Sequence, residues 1–215
     1  MLYDVAVVGD GIAGLVAHFV LQRQRPELRT VLLRAPPRRS KVPKVGEHIP
    51  ASMQPLLEEL GLWESFCRQN YLKVNTYYSV WGSELVQELN AIASNHAGGW
   101  SINRRAFEQW LDDQTARLIE SSPKRFVTVR RVEERAGGIL ELALDQSVKV
   151  RARFLIDATG RKALIARKEA YRAKLDKLIC AYNYFCQVDK SFEPSVGPLI
   201  EACTDGWFYS SVLPE

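Results

Sequence analysis

The chain has 215 residues, 47% of them apolar and 25% charged, and carries a net charge of +4 at neutral pH. That composition suits one large globular domain, or one and a half smaller ones, and excludes a disordered or fibrous chain. The Lys and Arg residues are dispersed rather than gathered into one stripe, which argues against a nucleic-acid-binding face.

The N-terminus, Met1-Leu2-Tyr3-Asp4, runs into an apolar strand without a basic leader, so no signal peptide is expected. Asp4–Val8 reads as a buried strand, Gly11–Arg23 as a helix and Thr30–Leu33 as the next strand, together a βαβ unit. Glycines, Asp10 and His18 interrupt the apolar stretch Val5–Leu21, so it is not a membrane span. A loop rich in Pro and basic residues covers Ala35–Val45. Pro50–Gln69 has helical spacing through Met53, Leu56, Leu57 and Leu60, with Gly61 ending its first half.

Tyr71–Leu89 is aromatic and β-branched, with a turn at Gly82-Ser83, and reads as strands. Asn103–Ser121 returns to helical spacing. Phe126–Arg131, Ile139–Leu144 and Val148–Ala152 read as short strands, with hairpin turns at Gly137-Gly138 and Asp145-Gln146-Ser147. Phe154–Asp157 is a further buried strand ending at Thr159-Gly160. A basic helical stretch to Lys177 follows, then strand-like runs at Ile179–Val188 and Trp207–Leu213. The fold class this implies is α/β, a Rossmann-like nucleotide-binding domain interrupted by a second β-sheet. The four cysteines, Cys67, Cys180, Cys186 and Cys203, form no C-x-x-C pair and have no histidine cluster, so no metal is expected. They are expected to be reduced, mostly buried thiols of a cytoplasmic protein.

Gly9-Asp-Gly11-Ile12-Ala13-Gly14 follows an apolar strand and opens a helix, the context a dinucleotide-binding motif needs. Gly9 permits the tight turn, Gly11 lets a pyrophosphate approach the backbone, and Gly14 allows close packing. The helix N-terminus, at Ile12 and Ala13, offers free N–H groups and a partial positive charge. The second strand should end on an acidic residue for the ribose. Here it ends on Arg34, which donates hydrogen bonds but accepts none. Arg34 suits a 2′-phosphate, or stacks on adenine, or leaves the ribose to another group; the last reading is preferred.

Four further segments carry a resemblance. Pro37-Arg38-Arg39 through Lys41, Lys44, Gly46, Glu47 and Pro50 is similar to the loop of flavin-dependent halogenases and related hydroxylases. Arg104-Arg105-Ala-Phe107 through Leu111 resembles their R-x-x-F-x-x-x-L helix. Asp157-Ala-Thr159-Gly160 resembles their DATG strand end, and Gly206-Trp207-Phe208-Tyr209 through Pro214 their GWWY–PLP strand. The chain thus resembles the FAD-dependent monooxygenases with the p-hydroxybenzoate hydroxylase fold, in the halogenase-like branch that includes flavoproteins maturing quinone-cofactor amine oxidases.

The resemblance implies FAD as cofactor, with Gly9, Gly11 and Gly14 at its pyrophosphate. Gly46 and Glu47 would lie beside the flavin, Arg104 would reach it from a helix, and Asp157 and Gly160 would pack a crossover against it. The implied activity is hydroxylation of an aromatic or peptide-borne aromatic substrate through a flavin peroxide, with electrons from NAD(P)H or a flavin reductase. Halogenation of an aromatic substrate, or a truncated nucleotide-binding remnant without turnover, are the alternatives. Glu47 and Lys73 are weak catalytic candidates, Lys73 because halogenases place a lysine beside the substrate pocket; Trp81-Gly82-Ser83 is more similar to non-halogenating relatives. Of the histidines, His18 reads as structural and His48 as nearest a flavin. Tyr77, Tyr78, Trp81, Trp207, Phe208 and Tyr209 read either as substrate-pocket lining or as sheet packing. Residues 1–70 and 97–177 are expected to form the FAD-binding domain, and 71–96 and 178–215 a substrate-side sheet. That sheet is expected to be incomplete at the C-terminus, because the sequence stops at Leu213-Pro214-Glu215 in its middle, and the family's later Gly-Asp segment, whose aspartate would hold the flavin ribityl chain, has no counterpart here. Weak or no FAD retention by the isolated chain is therefore expected.

Overall fold

A computed structural model describes residues 1–36, 44–90, 98–118, 124–145, 148–169, 173, 175–188, 191 and 195–214. Most of the basic loop at 37–43, His96 and part of the stretch before Lys177 therefore lie outside the described residues. The chain divides into two compact units, Met1–Val42 with Glu108–Ile179, and Pro43–Phe107 with Cys180–Glu215. Sequence had placed its domain breaks at 70, 96 and 177 instead.

The first unit is built on a six-stranded sheet. β1 (Leu2–Val8), α1 (Ile12–Gln24) and β2 (Thr30–Arg34) form the expected βαβ unit, β1 and β2 pairing in parallel with Val8 opposite Leu33. Parallel strands covered on both faces read as continuous apolar runs, and β2 is buried throughout. In the second unit, β3 (Glu47–Pro50), α2 (Gln54–Glu59), α3 (Trp63–Cys67), β4 (Leu72–Val74), β5 (Thr76–Val80), β6 (Gln87–Asn90) and β7 (Gly99–Ile102) follow in order. The long helix expected over Pro50–Gln69 is two short ones, because Gly61 takes φ +67° between them. β3 was missed because four residues of pairing leave almost no periodicity.

α4 (Arg104–Leu118) starts where expected, with the Asn103 side chain accepting from the N–H groups of Arg105 and Ala106. The single strand expected at Phe126–Arg131 is two, β8 (Lys124–Phe126) and β9 (Val129–Arg135). β8 joins β2 and β9 joins β10 (Ile139–Leu144), so one short run of chain supplies both ends of the strand order. Conversely, the two strands expected at Val148–Ala152 and Phe154–Asp157 are one, β11 (Lys149–Asp157). Its first half pairs antiparallel with β10, and its length pairs parallel with β1. The strand order is β8-β2-β1-β11-β10-β9. Tyr3, Ala6, Val8, Val31, Leu33, Leu142, Val150 and Ala152 form one buried layer of this sheet.

The basic helix expected to reach Lys177 is reduced to α5 (Ala166–Glu169), and the described residues 173 and 175–177 beyond it are not helical. No strand forms over Ile179–Val188, whose Ile179, Phe185 and Val188 side chains are almost fully exposed. A β-pattern forms a strand only where a partner satisfies its backbone groups, and none pairs with it among the described residues. β12 (Leu199–Cys203) and β13 (Gly206–Ser210) form a hairpin, and β13 stops short of the expected Leu213. In the second unit β13-β12-β5-β6 make one sheet and β3-β7-β4 another. All four cysteines are free and exposed, a correction to the buried thiols expected: they sit at a helix end, in irregular chain and in a half-open hairpin.

Candidate functional site

Three parallel strands, β2, β1 and β11, end on one edge of the first unit's sheet, with Leu33 and Asp157 both opposite Val8. Ligands of open α/β sheets bind at such carboxyl edges. Gly9, Gly11, Arg34 and Asp157 are all placed there.

The three glycines differ in what requires them. Gly9 takes φ +114°, and a Cβ there would lie 2.3 Å from the Ala158 carbonyl oxygen. A Cβ on Gly14 would lie 2.0 Å from the Gly9 carbonyl oxygen. Both are demanded by the fold itself, since Ala158 is drawn in by its N–H bond to the Val8 carbonyl at 2.8 Å. Gly11 is different. It is extended (φ −73°, ψ 178°), a conformation open to any residue, and among the described residues a Cβ there meets nothing within 4 Å. Gly11 caps α1 with no side-chain cap and no acidic residue in the first turn. The N–H groups of Ile12, Ala13 and Gly14 therefore head a 13-residue helix whose dipole favours an anion. Ala13 is exposed there. An open backbone surface and uncapped donors fit the pyrophosphate of a dinucleotide.

Arg34 is not free. It is 8% exposed, its Nη1 donates to Asp112 Oδ2 at 2.9 Å, and its Nε lies 3.6 Å from Asp10 Oδ2. Its guanidinium carbon also sits 5.6 Å from the centre of the Phe126 ring. Sequence reasoning singled out neither Asp10 nor Asp112. Asp10 was visible as an acid inside the glycine motif, whereas Asp112, 78 residues away in the chain, had no signal.

Asp157 is occupied by its own loop. Its Oδ1 accepts from the Thr159 hydroxyl (2.6 Å) and N–H (3.1 Å), and its Oδ2 from the N–H groups of Ile165 (2.8 Å) and Ala166 (3.0 Å). Burial pushes this carboxyl up, but the Thr159 hydroxyl and the three N–H groups together hold it below its ordinary value. It shapes the turn in which Gly160 takes φ +61°.

Gly46, Glu47, Lys73 and Arg104 are carried by the second unit. β7 lies between β3 and β4, with Glu47 opposite Ile102 and Lys73 opposite Trp100. That pairing brings the Gly46-Glu47 loop beside the start of α4, whose first residue is the half-buried Arg104. A Cβ on Gly46 would run into the Leu213 side chain at 2.3 Å. Lys73 is exposed. His48 meets Tyr77, whose Oη lies 2.6 Å from Nε2 and donates to the Gly98 carbonyl at 2.8 Å. Burial lowers the His48 pKa and raises that of Tyr77. A Cβ on Gly99 would strike the His48 ring. His18 is fully buried and lies 3.1 Å from the Thr30 hydroxyl, a structural role as expected.

Trp63, Phe66, Tyr71, Trp100 and Phe107 form the aromatic core of the second unit. The aromatic residues of β13 are exposed on both faces, Trp207 and Tyr209 on one and Phe208 on the other. Among the described residues no His, Cys, Asp or Glu cluster could hold a metal, and no helix is long and apolar enough to cross a membrane.

No protein-family model matches the chain, and no curated protein matches it in sequence. Solved structures match its fold. The flavin-dependent halogenase CmlS is 22% identical with a TM-score of 0.74, over 99% of this chain and 40% of its own. PqsL, a probable FAD-dependent monooxygenase from Pseudomonas aeruginosa, is 15% identical with a TM-score of 0.73, over 100% of this chain and 58% of its own. The peptidyl tryptophan dihydroxylase QhpG is 20% identical with a TM-score of 0.61, over 97% and 42%. The chain thus has the α/β fold of these flavoproteins and spans about half of their length or less.

Proposed function

We propose that this chain carries the FAD-binding core of a flavin-dependent oxidoreductase, a monooxygenase that hydroxylates an aromatic or peptide-borne aromatic substrate. The observation that supports it most is Gly11. Glycine costs conformational entropy, and nothing among the described residues requires one at this position. What approaches its bare backbone is then a ligand, and the uncapped N–H groups of Ile12 and Ala13 select an anion.

In this reading the first unit is the nucleotide side. Gly11, Ile12, Ala13 and Gly14 hold the pyrophosphate, while Gly9 and the Asp157–Gly160 turn keep the strand ends packed tightly enough to form the cradle. The second unit is the substrate side; among its residues, Gly46, Glu47 and Arg104 are the ones the family resemblance assigns to a flavin. When bound, the flavin supplies two-electron redox and oxygen chemistry, and the protein supplies position and polarity. The likeness to CmlS leaves halogenation as the second reading, with Lys73 as the residue it would use. NAD(P)H or a separate flavin reductase is the proposed electron source, and the cytoplasm the proposed compartment.

The test is thermal unfolding of the purified chain with added FAD, FMN, NAD or NADP. FAD at 100 times its Kd stabilises a binding-competent fold by about 2.7 kcal/mol, a rise of roughly 5–10 °C at this size. FMN, which lacks the adenosine half, is expected to give a smaller rise. No shift with FAD at millimolar concentration rejects the reading. Chloride-dependent product from an aromatic substrate would put halogenation first.

A further inference from the structure

The nucleotide reading leaves one position unexplained. A dinucleotide-binding second strand ends on an acidic side chain that accepts from the ribose hydroxyls, and β2 ends on Arg34, which has only donors. The structure gives that arginine an occupation. Its Nη1 is bonded to Asp112 at 2.9 Å, its face lies over Phe126, and it is 8% exposed. Its Nε is shielded from solvent and makes no hydrogen bond; the nearest counter-charge is Asp10, at 3.6 Å.

Two consequences follow. A guanidinium already paired with a buried carboxylate cannot turn to a phosphate without giving up its 2.9 Å hydrogen bond to Asp112, whose side chain is only 13% exposed. Moreover, the acceptor that β2 lacks must come from a neighbouring group, and two carboxylates flank the guanidinium. Of the two carboxylates, Asp10 is the accessible one, at 37% exposed against 13% for Asp112. Asp10 also stands between Gly9 and Gly11, immediately before the cradle. Left alone, its charge would repel a pyrophosphate at the same loop; Arg34 draws that charge toward the end of β2.

We propose that Asp10, not residue 34, is the ribose acceptor, and that Arg34 is a positioning residue that fixes the Asp10 carboxylate and excludes 2′-phosphorylated nucleotides. This rests on the nucleotide reading above. The ligand selected is an adenosine diphosphate whose ribose hydroxyls are free.

The test uses adenine nucleotides alone, so that flavin chemistry plays no part. The purified chain is titrated calorimetrically with ADP, 2′-deoxy-ADP, 3′-deoxy-ADP and adenosine 2′,5′-bisphosphate. A charge-assisted hydrogen bond predicts that loss of an accepted hydroxyl weakens ADP binding roughly tenfold or more, and that the 2′,5′-bisphosphate binds more weakly than ADP. Asp10→Ala, an accessible side chain, is expected to abolish the ADP-to-deoxy-ADP ratio while the circular dichroism spectrum stays unchanged. Arg34→Lys keeps part of the ratio and Arg34→Met loses it. Equal binding of ADP and both deoxy forms, an unchanged ratio in Asp10→Ala, or tighter binding of the 2′,5′-bisphosphate would each overturn the inference while leaving nucleotide binding intact. No ADP binding at millimolar concentration overturns the inference together with the nucleotide reading.

Discussion

Gly9 and Gly14 are held by backbone against backbone, and no flexible side chain can yield to relieve a substituent there. Gly14→Ala places a methyl group 2.0 Å from a carbonyl oxygen, and is expected to cost about 2–3 kcal/mol or to prevent folding. Urea unfolding measures it; a change below about 0.5 kcal/mol would mean the turn is not built this way. The spacing of the glycines was plain in the sequence, but which glycine serves the fold and which faces outward was not, because that depends on where Ala158 comes to rest.

His48 belongs to the same scale. Its folded pKa lies below the ordinary histidine value because burial disfavours the imidazolium, partly offset by the Gly98 carbonyl. In the window between the lowered value and about 6.5 the unfolded chain binds more protons than the folded one. Stability contributed by neutral His48 is therefore present above that window and declines as pH falls through it. His48→Gln is expected to flatten this part of the stability–pH profile, and an identical slope in the variant would place the titration elsewhere.

At the scale of elements, β11 shows why some strands could be read and others could not. Its sequence alternates charged and apolar residues through Arg151 and Arg153, then turns apolar; Lys149–Ala152 pair with β10 as well as, from Arg151 on, with β1, and beyond them β1 is the partner that remains. The change of pattern looks like a break in the sequence and is a change of neighbour in the structure. β8 and β9 are the reverse case, two strands hidden in one continuous run because tertiary pairing decides where a strand stops. The antiparallel end is tied by Glu141, which accepts from Arg135, Lys149 and Arg151. Those three hydrogen bonds, Lys149 first, hold its carboxyl at about 2. Asp157 is likewise lowered. Both contribute stability above the ordinary carboxylate range, lost as pH falls through their lowered values. Glu141→Gln should reduce the loss of stability on acidification between about pH 4.5 and pH 2. Asp157→Ala should cost about 1–2 kcal/mol, the range of a lost helix cap, read by chemical denaturation; a neutral result would mean the turn holds without its carboxylate.

For the whole molecule, the order of the motifs was legible in the sequence, and the structure gives it a fold shared with CmlS and PqsL. The division into units was less legible. The stretch 43–70, expected on the nucleotide side, groups with the second unit because β3 pairs with β7. Sheet partners distant in the chain leave no periodic trace. The described chain also presents Leu175, Ile179, Phe185 and Val188 at 90–95% exposure. Exposed apolar groups of this kind promote association, so light scattering should show concentration-dependent self-association, reduced in Phe185→Ser with Val188→Ser. A monodisperse wild-type chain would speak against this.

The account stands on Gly11 as a position that the fold leaves open and a nucleotide needs. Gly11→Thr separates the two demands, because threonine caps a helix about as well as glycine and suits the extended backbone there. The decisive measurement is FAD affinity by quenching of flavin fluorescence, with stability measured on the same samples. The expected result is stability within about 0.5 kcal/mol of wild type and FAD affinity at least tenfold weaker. FAD binding as tight in Gly11→Thr as in the wild type would contradict the account.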